Sequence, residues 1–274
     1  MSNPFGHLQD DQQLTPHVAR SQLLDSVRRG FVPLRNVFVQ LPRSSPVRGA
    51  LLGDMVTARQ GRALDALLLL HALWPVIDGD PLPIATWANL LSPAHGQCSA
   101  SSASKAFGVL SDFNLVDRRR EGKRSVVTPL LEDGSGKVWS RPRDHFFVIP
   151  HAYWKGGLFD RLHLPGKAML LIMLKETQGI PSFEMAVERA SAWYAISERT
   201  AERGYRELSD SGLLLTHIQY GVSPRLPPGV RRRRFHRALR EPFSSDSRTR
   251  LQLHATTGAK AAYGGAEESG RRLN

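Results

Sequence analysis

Arg199, Arg203 and Arg206 follow one another by four and three residues, so on a helix they occupy one face. A helix face crowded with guanidinium groups binds anions. An α-helix also fits a DNA major groove, where Arg is the side chain best shaped for guanine O6 and N7. Ala201, Tyr205 and Leu208 fall on another side of the same helix and give it an apolar spine, and Ser197 is the residue type that caps such a helix. The N-terminal residues of a reading helix reach deepest into the groove. Arg199, Thr200 and Arg203 are therefore the expected base readers, with Arg206 and Ser197 nearer the phosphates. The alternative is a solvated face stitched by ion pairs within the helix, Arg199 with Glu202 and Arg203 with Glu207.

The same arrangement occurs earlier in the chain. At an offset of 98, Ser99, Ala103, Leu110, Ser111, Asp112 and Leu115 fall on Ser197, Ala201, Leu208, Ser209, Asp210 and Leu213. Lys105 falls on Arg203, Phe107 on Tyr205, and Asn114 on Gly212, a residue suited to the left-handed position after a helix. The pairings follow a physical pattern of cap, polar face, apolar spine, turn residue and strand. The first copy is less charged. Its outward residues Ser101, Ser102 and Lys105 position a duplex more than they specify its sequence, and docking of a partner protein is the competing use of that face.

Each copy runs into a basic segment. Arg118, Arg119, Arg120, Lys123 and Arg124 bracket Glu121-Gly122, a hairpin turn. Arg225, Arg231, Arg232, Arg233, Arg234, Arg237 and Arg240 cluster with no carboxylate between Asp210 and Glu241. Such a run repels itself until phosphates replace its counterions, so both basic segments are expected to contact the backbone or minor groove. A localisation signal or plain solubility would also use such a run.

These side chains need rigid supports. Apolar residues recur at helical spacing from Leu64 to Trp74, where Pro75 is expected to end the helix, and again over Leu164–Lys175. Short helices are expected over Ile84–Leu91 and Phe183–Trp193, polar-faced helices after Ser99 and after Ser197, strands from Leu115 and Leu213, and return strands at Lys123–Leu131 and Val230–Leu239. Pro42, Ser44, Ser45 and Pro46 mark a loop. The expected organisation is an N-terminal extension (1–56), a first domain (57–131), a Gly/Ser/Pro-rich linker (132–145), a second domain (146–240) and a disordered tail (241–274).

Bulk composition agrees with this reading. The 274 residues are 41% hydrophobic and carry a formal net charge of +12, which implies an anionic partner. One cysteine excludes an internal disulfide and suits a reducing cytoplasm. The N-terminus lacks the pattern of a secretory signal, and the apolar run 63–74 is too short to span a bilayer. Catalysis finds little support, and an enzyme with an unrecognised site is the weakest alternative. Leu164-Pro165-Gly166-Lys167 lacks the spacing of a phosphate-cradling loop, the ten histidines show no metal-ligand spacing, and no cofactor is expected.

The run from Phe146 through Leu164–Glu176, Trp193–Leu214 and the second basic segment resembles winged helix-turn-helix proteins of bacterial plasmids, phages and chromosomes. The fragment Ile196-Ser197-Glu198-Arg199-Thr200-Ala201, followed by Leu208 and Gly212-Leu213-Leu214, carries the likeness. Residues 57–131 are similar more loosely. The resemblance implies a mainly α fold with small antiparallel β-hairpins, built as two winged helix-turn-helix domains in tandem. It also implies a non-enzymatic, cytoplasmic, nucleoid-associated protein that binds double-stranded DNA. Transcriptional control is the first expectation and plasmid or phage replication initiation the second, with a homodimer or a replication or transcription protein as further partners. A protein-docking scaffold is the alternative of another class.

Overall fold

The stretch 168–174 is apolar on every side, and 64–73 is so apart from Asp65 and His71, so each must be surrounded by other elements. The computed structural model describes residues 14–121, 124–222, 227 and 230–270, with backbone alone for Arg124 and for 258–270. In chain order the elements are α1 (Pro16–Asp25), β1 (Phe31–Arg35), a 3-10 turn at Asn36–Phe38, α2 (Leu51–Thr57), α3 (Gly61–Ile77), α4 (Ile84–Leu90), α5 (Ala100–Asp112) and the hairpin β2 (Val116–Glu121) and β3 (Arg124–Pro129). There follow β4 (Phe146–Pro150), α6 (Ala152–Lys155), α7 (Leu158–Arg161), α8 (Leu164–Glu176), β5 (Phe183–Glu184), a 3-10 turn at Val187–Arg189, α9 (Ala190–Tyr194), α10 (Glu198–Asp210), β6 (Leu214–Gly221), β7 (Arg232–Leu239) and α11 (Ser245–Gly270).

The described chain is mainly helical, with small antiparallel sheets: β1 with β4, β2 with β3, and β5-β7-β6 with β7 in the middle. Leu64, Leu67, Leu68, Leu69, Leu70 and Leu73 of α3, and every residue from Ala168 to Leu174 of α8, are buried in one continuous apolar cluster. Each such leucine contributes about 1.5–3 kcal/mol by leaving water.

Polar side chains cross between the two halves inside this cluster. Arg20 of α1 is completely buried and donates to the carbonyls of Leu90 (3.0 Å) and Ser92 (2.8 Å) and to the Asp160 carboxylate of α7. Lys167 of α8 pairs with Asp65 of α3. The Phe159 ring lies against both cations, 4.5 Å from the Arg20 guanidinium carbon and 4.9 Å from Lys167 Nζ. Burial lowers the Arg20 pKa, with Asp160 opposing the shift, and burial raises that of Asp65, with Lys167 opposing it.

Several expectations are corrected. The first 56 residues include integral parts of the fold: β1 pairs with β4 from Phe31↔Pro150 to Arg35↔Phe146, and Leu24, Leu34, Phe38 and Leu52 lie in the core. Pro75 does not end α3, which runs two residues further to Ile77, so the proline falls within its last turn. The segment 132–145 is not a free linker. Leu130 bridges to Val138, and the fully buried Glu132 pairs with Arg35 and accepts from Trp139 Nε1. Residues 183–193 form a strand fragment, a 3-10 turn and a five-residue helix rather than one helix, because Phe183 and Glu184 join the β7 edge. The stretch expected to be a disordered tail contains α11, held by Arg248. This side chain is 1% exposed and donates to the carbonyls of Leu174 (2.7 Å), Thr177 (2.8 Å) and Phe243 (3.0 Å).

Buried histidines should make the fold acid-sensitive. His151, 4% exposed beside α6, has its pKa pushed down by burial and by Lys155, from 6.5 to about 4. The unfolded chain takes up this proton near pH 6.5, whereas the folded chain resists until about pH 4. The stability supplied by neutral His151 is therefore complete above the higher value and lost as pH falls toward the lower, on the order of 3 kcal/mol. Buried His71, also shifted down by burial, acts in the same sense. Urea midpoints measured between about pH 7 and pH 4.5 should fall, and less steeply for His151→Gln. A variant with the wild-type slope would remove His151 as a cause.

Candidate nucleic-acid interface

The two polar-faced helices are built alike, end for end. Ser99 Oγ accepts from Ser102 N at 3.1 Å, and Ser197 Oγ from Thr200 N at 3.2 Å, so each serine caps thirteen helical residues. Each helix stops at a left-handed residue, Asn114 (φ 54°) or Gly212 (φ 70°). The next leucine then donates its N–H back to the helix, Leu115 to Leu110 O and Leu213 to Leu208 O, both at 2.9 Å. Each helix thereby delivers its chain into a hairpin. Both are preceded by two other helices, α3 and α4 in the first case and α8 and α9 in the second.

Helix α10 buries Ala201, Gly204, Tyr205 and Leu208 and exposes Arg199, Glu202, Arg203 and Arg206. Its approach to α8 is very close. A Cβ on Gly204 would stand 2.3 Å from Met169 Cγ and 2.4 Å from Pro165 O, so only glycine permits this contact. Among the described residues, Arg199, Arg203 and Arg206 have no hydrogen-bonding or ion-pair partner. The intrahelical pairing of Arg203 with Glu207 does not form, because Glu207 turns inward and accepts from His163 N at 3.0 Å at the start of α8.

The β6–β7 hairpin adds cations on two faces. Arg231, Arg232, Arg233 and Arg234 are all exposed. Arg233 pairs across from Tyr220 and, with Phe235, closes a 490 Å³ cleft against Glu202, Tyr205 and Arg206 of α10. Arg232 and Arg234 lie on the opposite face, beside Glu184, Arg189 and Trp193, around a 270 Å³ cleft. Arg189, whose guanidinium covers the Trp193 ring at 5.3 Å, was not among the sequence candidates. In the sequence it falls inside the stretch expected to be a helix, Phe183–Trp193, where nothing sets it apart from a solvated cation.

Arg237 requires correction as a phosphate contact. It is 9% exposed, donates to Met185 O at 2.9 Å and stacks its guanidinium 3.9 Å from the centre of the Tyr205 ring. It belongs to the central strand and opposes Phe183 and Thr216, so its side chain points under α10 and braces the hairpin. Burial raises the Tyr205 pKa to about 12, with Arg237 opposing the shift.

In the first half, Ser101, Ser102 and Lys105 are exposed on α5. Arg118 is exposed but already engaged, donating to Ser104 Oγ (2.7 Å), Ser104 O (3.1 Å) and Ser125 Oγ (3.0 Å), which clips β2 and β3 to α5. Arg119 pairs with Asp117 at 2.6 Å on the surface, an interaction of little strength. Arg120 is exposed at the end of the hairpin, where only the backbone of Arg124 is described. Lys123 and Arg225 lie outside the described residues. The first half therefore presents a polar, weakly cationic face and the second a strongly cationic one.

Among the described residues, no three His, Cys, Asp or Glu side chains gather as metal ligands, and no helix is long and apolar enough to cross a membrane. Comparison with models of protein families, with curated proteins and with solved structures returns no match.

Gly204 and Gly108 provide opposite tests of this interface. Gly204→Ala should overpack the α8–α10 contact and cost about 1–3 kcal/mol. Gly108 sits inside α5 with nothing within 4 Å of an added Cβ, so Gly108→Ala should stabilise by about 0.5–1 kcal/mol. Urea denaturation of both variants measures this. Equal and negligible effects would contradict the close packing of α10 on α8.

Proposed function

We propose that the protein binds double-stranded DNA sequence-specifically through two winged helix-turn-helix heads, one built on α3–α5 with β2–β3 and one on α8–α10 with β5–β7. The observation that carries this reading is the row Arg199, Arg203 and Arg206, exposed on α10 without partners among the described residues, beside the exposed Arg231–Arg234 hairpin. In this reading α10 enters the major groove, its arginines meet base edges, and the hairpin arginines meet phosphates. The first head adds contacts of lower charge through Ser101, Ser102 and Lys105. The process served is control of transcription.

Selection of bound sequences from a random duplex pool, followed by fluorescence anisotropy, tests the reading. Arg203→Ala should lose about 1–3 kcal/mol at one base pair and relax the choice there. Arg232→Ala should weaken all sequences alike and flatten the salt dependence. Sites overlapping promoters would support transcriptional control, whereas tandem repeats would point to replication initiation. Absence of duplex affinity at low salt would overturn the proposal in favour of protein docking.

The buried contacts between the halves give a second test. With heads fixed to one another, inserting about 5 or about 10 base pairs between the two half-sites, roughly half a turn or a whole one, should reduce affinity to that of a single half-site. Tolerance of either insertion would mean that the heads move independently.

A further inference from the structure

The loop between β1 and α2 has a composition that neither head absorbs. Pro42-Arg43-Ser44-Ser45-Pro46 places between two prolines a run of side chains that can donate hydrogen bonds to phosphate. The loop is closed at its neck: Leu41 N donates to Arg48 O at 3.0 Å, and Arg48 Nε donates back to Leu41 O at 3.2 Å. Ser45 N donates to Pro42 O at 3.0 Å and turns the tip. Arg43 and Ser44 are exposed.

Behind the loop is a 480 Å³ cleft whose lining includes Arg35, Arg43, Arg48, His145 and Lys175, with Asp144 the one carboxylate among the described lining residues. Arg35 is engaged by Glu132, and Lys175 by Glu176 and Gln40. Among the described residues, Arg43 and the terminal N–H groups of Arg48 are left without partners.

The loop rests on the turn that leads into α10. Gln40 Nε2 donates to Trp193 O at 3.0 Å, and a Cβ on Gly49 would stand 2.6 Å from Ala195 Cβ. Ser197, the cap of α10, lies two residues beyond Ala195. When the first turn of a helix enters a groove, the turn preceding it passes the phosphates on the rim of that groove.

We infer that the Leu41–Arg48 loop is a third phosphate-binding element, which grips the duplex backbone beside the N-terminal turn of α10 through Arg43, Arg48 and the Ser44 hydroxyl. This rests on the reading of α10 as a groove helix. The two prolines and the closed neck lower the entropy lost when the loop engages.

The test uses the full chain and a labelled duplex carrying the selected site, with anisotropy measured over a range of salt concentrations. Arg43→Gln should flatten the slope of log affinity against log salt by about 0.9, and Arg43→Gln with Arg48→Gln by about 1.8, with the ranking of sequences unchanged. The single variant stands without the double one, because Arg48 also holds the neck. Wild-type binding with an unchanged slope in both variants overturns this inference and leaves the groove reading intact. A changed preference at one base pair overturns the backbone role. Calorimetric binding of inorganic phosphate that is lost in the variants, with duplex affinity unaltered, marks a small-anion site and overturns it as well. If the wild type fails to bind duplex at low salt, the groove reading fails and takes this inference with it.

Discussion

Two charged pairs buried around the Phe159 ring make one body of the two halves. Arg20–Asp160 and Lys167–Asp65 join α1, α3, α7 and α8, and the aromatic ring shares its face between both cations. Pairs of this kind gain little net stability over apolar residues of the same shape, yet leaving one partner alone in the interior costs several kcal/mol. Their effect is to specify an arrangement. Any other docking of the halves would leave a guanidinium or a carboxylate in the core without a counterpart. The placement of α5 relative to α10 follows from this constraint.

The polar-faced helices were legible in the sequence almost to the residue, because their ends are decided locally. A serine cap, an apolar spine and a left-handed Asn or Gly are each short-range physics, and the structure realises them at Ser99 and Asn114 and again at Ser197 and Gly212. What could not be read depends on distant partners. Nothing in Phe31–Arg35 names Phe146–Pro150 as its pairing strand, and nothing in Glu132 announces Arg35. The segment after Glu241 has no apolar period in its sequence, and among the described residues α11 is anchored by the buried Arg248 at the carbonyl end of α8. Charge density also misled at Arg237, since a run of arginines conceals the alternation of a strand. Arg231, Arg233, Phe235 and Arg237 fall on one side of that alternation, and only its end nearest the β5–β7 pairing is covered.

The distribution of cations is therefore graded by what surrounds them. Arg20 and Arg248 are structural, filling positions where carbonyl oxygens would otherwise lack donors. Arg118 and Arg237 are braces that hold each hairpin to its helix. Arg199, Arg203, Arg206 and Arg231–Arg234 keep their donors in solvent. A net charge of +12 says only that an anion is attracted. The division of labour among the arginines separates those occupied inside the fold from those whose donors remain open to solvent.

The pairing of β1 with β4 also bears on biogenesis. During synthesis β1 leaves the ribosome long before β4 exists, so Phe31–Arg35 spends that interval with an open hydrogen-bonding edge and apolar side chains beside it. Closing such a long loop is slow, and an open edge is a template for misassociation with neighbouring chains. The nascent first half thus carries an unpaired strand edge until the second half arrives to complete its sheet.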